Sequence, residues 1–142
     1  MNIFKKIFGN NQNDKKEVIT MTNTEKAIAL INTFATGDTE KASELLAENY
    51  IQHNTGIADG LSGLGAALEA LGKQGIQMIY TTVHQVLAQG NYVLAVSEGT
   101  FGGAPTSYYD LWRIENGKIA EHWDVMETIA DKSTWQNQNG KF

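Results

Sequence analysis

The sequence contains no cysteine, and that absence removes several chemistries at once. A disulfide framework, a thiolate zinc site and a thiol nucleophile are all excluded. Basic residues are in the minority, with 11 Lys+Arg against 16 Asp+Glu and a net charge of -5. Nucleic acid is therefore not an expected partner, because phosphate binding needs a clustered basic surface. Long apolar runs are missing too. Nothing reaches the ~18 apolar residues of a membrane span, and the first residues lack the apolar core of about 7–15 residues found in a signal peptide. No membrane span and a cytoplasmic location are the corresponding expectations. There is no G-x-G-x-x-G and no nucleophile elbow, and Gly60-x-x-Gly63 lacks the preceding strand and following lysine of a phosphate-binding loop. No cofactor is expected.

What is present suits one globular domain. The length of 142 residues and a hydrophobic content of 42% allow a core and one pocket. Residues 1–20 hold Lys5, Lys6, Lys15 and Lys16 against Asp14 and Glu17, a balance of +2, which leaves -7 for the remainder. Residues 1–21 are expected to be a flexible leader and 22–142 the folded domain.

From Thr22 the pattern is helical. Thr22-x-x-Glu25 fits a capping box, and Ala27, Leu30, Ile31, Phe34 and Ala35 recur at helical spacing. Gly37 is placed to end that helix and Asp38 to cap a second, through Ala42, Leu45 and Leu46. A short extended run, Asn49 to Asn54, precedes a third helix carrying Leu61, Leu64, Leu68 and Leu71. Strands are expected at 76–89, 92–100, 107–115 and 118–128. Gly90-Asn91 and Asn116-Gly117 are hairpin turns, and Gly102, Gly103 and Pro105 mark a loop between the hairpins. Helices followed by antiparallel strands imply α+β, with a strongly curved sheet leaving a cone-shaped pocket against three helices.

Polar residues on faces that alternation buries are the informative ones. His122 and Asp124 share a strand face with Met126, while Glu121, Trp123 and Val125 share the other. Asp110 sits in Tyr109-Asp110-Leu111-Trp112, where an ionised carboxylate is costly unless paired. It is either a protonated hydrogen-bond donor or half of a buried ion pair with Arg113 or a histidine. His122 is either catalytic or a satisfied core histidine, and His84 is read as a plain strand residue. His53 ends the extended run. A metal held by His53, His122 and Asp124 has an acceptable ligand set, but no metal is expected.

The order of elements, the helix-Gly37-Asp38-helix corner, Tyr50-Ile51-Gln52-His53-Asn54, and Asp110-Leu111-Trp112-Arg113-Ile114 followed by Asn116 to Asp124 carry a resemblance. Over roughly residues 22–130 the chain resembles SnoaL-like polyketide cyclases of the nuclear transport factor 2-like, ketosteroid isomerase-like superfamily. The resemblance implies a cystatin-like α+β barrel, a deep pocket, a homodimer formed through the sheet, and aldol or isomerase chemistry without cofactor or metal. It places His53 where a general-base aspartate is expected and Asp110 where an oxyanion-donating acid is expected. Leu30 stands where a pocket tyrosine is expected, which argues against steroid isomerisation.

The expected function is acid–base catalysis on a small apolar or carbonyl-containing ligand, with a non-catalytic ligand-binding or dimerisation module as the alternative. Catalysis is assigned to His53, Asp110, His122 and Asp124, with Asp124 or His53 as base, and pocket walls to Leu68, Met78, Tyr80, Trp112 and Met126. A plain two-residue turn at Asn116-Gly117 sets Leu111 opposite His122 and puts Asp110 on the wrong face. The family reading, which needs both in the pocket, therefore demands a bulge or register change in this hairpin.

Overall fold

The computed structural model describes residues 20–142. The expected leader lies outside the described residues except for Thr20 and Met21, and Met21 packs against the core. Helix α1 spans Asn23–Thr36. Its capping box is closed at both ends, with the Thr22 side chain accepting from the Glu25 amide and the Glu25 carboxylate accepting from the Thr22 amide. Ala27, Leu30 and Ile31 form its buried stripe. Gly37 ends the helix at φ 69°, and Asp38 caps α2, Thr39–Leu45, by accepting from the Lys41 amide. Strand β1, Leu46–Gln52, follows directly. Asp59 then caps α3, Gly60–Lys73, and also accepts from the Gln52 amide, tying the end of β1 to the start of the helix.

Four strands complete the chain as an antiparallel meander: β2 Met78–Gln89, β3 Tyr92–Phe101, β4 Ala104–Glu115 and β5 Lys118–Thr128. β1 adds to β5 in parallel, giving the order β1-β5-β4-β3-β2. The α+β expectation is met, with α1, α2 and the inner sheet face closing over one apolar cluster that includes Leu45, Val93, Trp112 and Ile119. One connection differs from expectation. Gly102 and Gly103, read as a loop, are a tight turn with both residues at positive φ, and Pro105 lies inside β4 opposite Thr100.

Three irregularities in the antiparallel ladders give the meander its shape. In β2, Thr81 and His84 are extra residues relative to β3, so Met78, Tyr80, Val83 and Val86 face inward where strict alternation fails. Opposite Tyr80, a Cβ on Gly99 would stand 1.7 Å from the Ile79 carbonyl oxygen, so only glycine allows β2 and β3 to approach this closely. In β5, Ile119 faces Ile114 but Glu121 faces Arg113, leaving Ala120 unmatched. That bulge is the one the family reading demands. Trp112, not Leu111, faces His122, and Asp110 faces Asp124.

Candidate active site

A cavity of about 350 Å³ lies between the helices and the inner sheet face. All five expected wall residues line it, namely Leu68, Met78, Tyr80, Trp112 and Met126. Asp110, His122 and Asp124 line it as well, whereas no lysine or arginine among the described residues does. A larger, open hollow of about 520 Å³ beside Met21 and Ile28 has Glu25 as its one ionisable lining residue among the described residues.

His53 is not brought to the cavity. Its backbone amide donates to the His122 carbonyl, which places it one step beyond inward-facing Gln52 and turns its ring to the outer sheet face. There it stacks on Trp123 at 4.6 Å and pairs with Glu121 at 2.7 Å. The hydrogen bond from His53, followed by that from Arg113, holds the Glu121 carboxyl below its usual range. His84 lies outside the cavity too, bonded to Glu98 and stacked on Phe142. The metal set of His53, His122 and Asp124 is thus not assembled. Asp110, His122 and Asp124 do put potential ligating atoms within 4.8 Å of one another, but hydrogen bonds already occupy them.

The polar end of the cavity is one connected network, and two backbone amides orient it. The Asn54 amide donates to Gln52 Oε1 at 2.9 Å, which fixes that side-chain oxygen as an acceptor. His122 Nδ1 lies 3.0 Å from the same oxygen and must therefore carry a proton. The other ring nitrogen, Nε2, lies 2.8 Å from Asp110 Oδ1, and one proton sits between them. The pair is consequently neutral overall wherever that proton rests. Asp110 Oδ2 accepts from the Tyr80 hydroxyl at 3.1 Å, so both oxygens of this buried carboxyl are engaged.

The second orientation works in the same way. The Gly56 amide donates to Asn54 Oδ1, so Asn54 Nδ2 points at Asp124 and donates to both carboxylate oxygens at 2.9 Å. Two accepting oxygens are the pattern of an ionised carboxylate. Among the described residues Asn54 is the one side chain hydrogen-bonded to Asp124, and a His122 ring nitrogen lies within 4.8 Å of it.

Tyr50 completes the group. Its hydroxyl oxygen accepts from Gln52 Nε2 at 3.0 Å, and its own proton has no acceptor among the described residues. Burial, and then the negative charges of Asp124 and Asp110, push the Tyr50 phenol well above its usual range, so it remains a donor. Tyr80 is shifted in the same direction, mainly by burial and then by Asp110.

Gln52, Asn54 and Tyr50 were not among the expected site residues, although a signal for them exists. Tyr50, Gln52 and Asn54 alternate along one extended segment, and period two sends all three to the face that lines the cavity.

A model of the SnoaL-like domain matches residues 27–122, from α1 through His122. The chain belongs to the SnoaL-like domain family. Three solved structures share this SnoaL-like chain's fold. A protein of unknown function with a cystatin-like fold from Xanthomonas campestris is 24% identical, covering 80% of this chain and 94% of its own, with a TM-score of 0.63. A nuclear transport factor 2-like protein of unknown function from Cytophaga hutchinsonii is 19% identical, covering 76% and 92%, with a TM-score of 0.62. IdmH from Streptomyces antibioticus, named as a candidate polyketide cyclase, is 20% identical, covering 75% and 93%, with a TM-score of 0.58. At these identities the likeness establishes the fold. No curated protein matches the chain. No helix among the described residues is long and apolar enough to cross a membrane.

Proposed function

We propose that the chain is an enzyme that rearranges a small carbonyl compound by proton transfer, of the aldol-cyclase or isomerase kind, without a cofactor. One observation carries the reading. Asp124 places both carboxylate oxygens on an amide donor, in a largely apolar cavity that no lysine or arginine among the described residues lines. A carboxylate held this way keeps lone pairs free to take a proton from a bound substrate.

In this mechanism an Asp124 oxygen takes a proton from the carbon next to the substrate carbonyl. The C–H electron pair becomes the C=C bond of the enolate as the carbonyl π pair moves onto oxygen, and the Tyr50 hydroxyl donates to that oxygen. The enolate carbon then attacks a second carbonyl, whose new alkoxide takes the proton held by Asp124, or is reprotonated at another position by Asp124; either way Asp124 is regenerated. His122 and Asp110 supply no mobile proton of their own to solvent. They hold Gln52, and through it Tyr50, in place across three strands. Asp110 thereby supports the oxyanion donor and is not itself the donor, because Tyr80 and His122 occupy both its oxygens. His53 takes no part.

The test is turnover of cyclisable diketones by variants. Asp124→Asn should lower kcat at least about a thousandfold and Tyr50→Phe about a hundredfold, in the range measured for lost bases and oxyanion donors, while His53→Ala leaves it within about twofold. Unchanged turnover in Asp124→Asn would remove the mechanism. A second copy packed on the outer sheet face belongs to the same proposal, supported by exposed Leu87, Tyr92, Tyr109 and Val125 there. Light scattering on Val125→Lys, expected to be monomeric against a dimeric parent, checks it.

A further inference from the structure

The proton count of the cavity specifies the charge of its ligand. His122 Nδ1 is protonated by the orientation of Gln52, and a single proton lies between Nε2 and Asp110, so those two residues together contribute no net charge. Asp124 contributes one negative charge. No lysine or arginine among the described residues lines the cavity. Arg113 is bound to Glu115 and Glu121, Lys73 to Glu69, Lys141 to Glu127 and Lys118 to the Glu44 carbonyl, while Lys132 sits over Trp135. The remaining wall is aliphatic and aromatic, with Phe34, Tyr50, Tyr80, Phe101 and Trp112 among it.

We propose that this cavity binds uncharged and protonated-amine compounds of roughly bicyclic size and rejects anions. Amine isosteres of the carbonyl substrate are then its tightest ligands, with the ammonium group on Asp124. Three physical reasons converge. A carboxylate or phosphate entering would lose its hydration to a site with one fixed negative charge and no cation to replace it. An ammonium gains a charge-assisted bond to Asp124 without displacing Asn54, since each carboxylate oxygen has a further lone pair. Aromatic ring faces also attract a cation and do nothing for an anion. The cavity volume of about 350 Å³ sits at the small end of ligand sites, which suits two fused rings better than a polycyclic skeleton. Acyl carriers ending in phosphate and free carboxylic-acid intermediates are excluded as cavity-bound groups.

The inference deepens the proposed function but rests on the proton count, so binding and turnover are read separately. The probes are three tetralin compounds substituted at the same ring position: the ketone tetralone, aminotetralin, and tetralin carboxylate. Each is titrated into the full chain at pH 7 by calorimetry, with Trp112 fluorescence as a second signal. The expected order is amine tighter than ketone by about tenfold, and carboxylate weaker than ketone by at least about tenfold, the scale of one partly screened charge pair. In Asp124→Asn, the amine should fall to the affinity of the ketone, and the carboxylate should recover. Glu127→Gln, which removes an outer-face carboxylate paired to Lys141, should leave the order intact and so exclude an effect of overall net charge. The proposal is overturned if the carboxylate binds as well as the ketone, if the amine preference survives in Asp124→Asn, or if none of the three binds. The predicted order with no catalysis on any ketone would instead remove the mechanism above and leave a binding module with this selectivity.

Discussion

Asp110 and Asp124 face each other as direct partners across β4 and β5, yet the chain gives them opposite surroundings. Asp110 is buried and its two oxygens are spoken for by His122 and Tyr80. Asp124 is partly exposed to the cavity and is touched by Asn54 alone. Two carboxyls that close can hold different protonation roles only if their environments differ, and here a histidine on one and an amide on the other make the difference.

The Asp110–His122 pair should behave as a buried pair in stability measurements. Replacing Asp110 with Ala leaves a ring nitrogen and the Tyr80 hydroxyl without partners, so urea denaturation should show a loss of about 3 kcal/mol. His122→Leu should cost a similar amount. The double variant should lose less than the two singles together, with about 1–3 kcal/mol of coupling, whereas simple additivity would mean that the pair is not formed.

The tautomer of His122 is open to direct observation. Nitrogen-15 correlation spectra should show Nδ1 protonated in the parent chain. Gln52→Glu keeps an acceptor at that position and should preserve the pattern, while Gln52→Met removes it and should let Nδ1 give up its proton, leaving the one shared between Nε2 and Asp110. A parent spectrum with Nδ1 bare would contradict the orientation assigned to Gln52.

The β5 bulge makes a deletion informative. Removing Ala120 leaves Ile114–Ile119, Arg113–Glu121, Trp112–His122 and Asp110–Asp124 as successive pairs of a regular ladder, so His122 and Asp124 should keep facing the cavity. Binding of a cavity ligand should therefore persist, with the far-ultraviolet circular dichroism of the parent. Loss of binding in a folded deletion variant would mean that the pairing across β4 and β5 is not the one described.

Alkaline stability follows from the tyrosines. Burial, with Asp110 adding to it, pushes the Tyr108 phenol up to about 12, and burial raises Tyr50 and Tyr80 well above the usual range as well. A raised folded-state value means that the stabilisation is full below the unfolded value of about 10 and is lost as pH rises through the folded one. Phenolate absorbance from these three should therefore appear together with unfolding above pH 10. An ordinary titration of all five tyrosines with native circular dichroism throughout would contradict their burial.

Much of this geometry was legible in the sequence because period two is a strict rule within one strand. It placed His122, Asp124 and Met126 together, and the helical and strand patterns picked all five wall residues. Parity fails where a strand acquires an extra residue. A bulge or register change in the last hairpin was inferred from the family reading without its position, which is Ala120, and Thr81 and His84 left no such trace. His53 was misplaced for a different reason. It was judged by its position along a family pattern, whereas its parity beside Tyr50 and Gln52 sends it outward, onto Trp123. The amides were missed because Gln and Asn look like surface residues until their partners are known.

The parallel seating of β1 beside β5 has a kinetic consequence. The meander joins neighbours through short turns, so its pairings close small loops. By contrast, Gln52–His122 and Asn54–Asp124 each join residues 70 positions apart. Closing so long a loop is slower and is rewarded only once its strands exist. During refolding, sheet content should therefore recover first, and the capacity to hold a ligand should arrive as a later phase with its own rate.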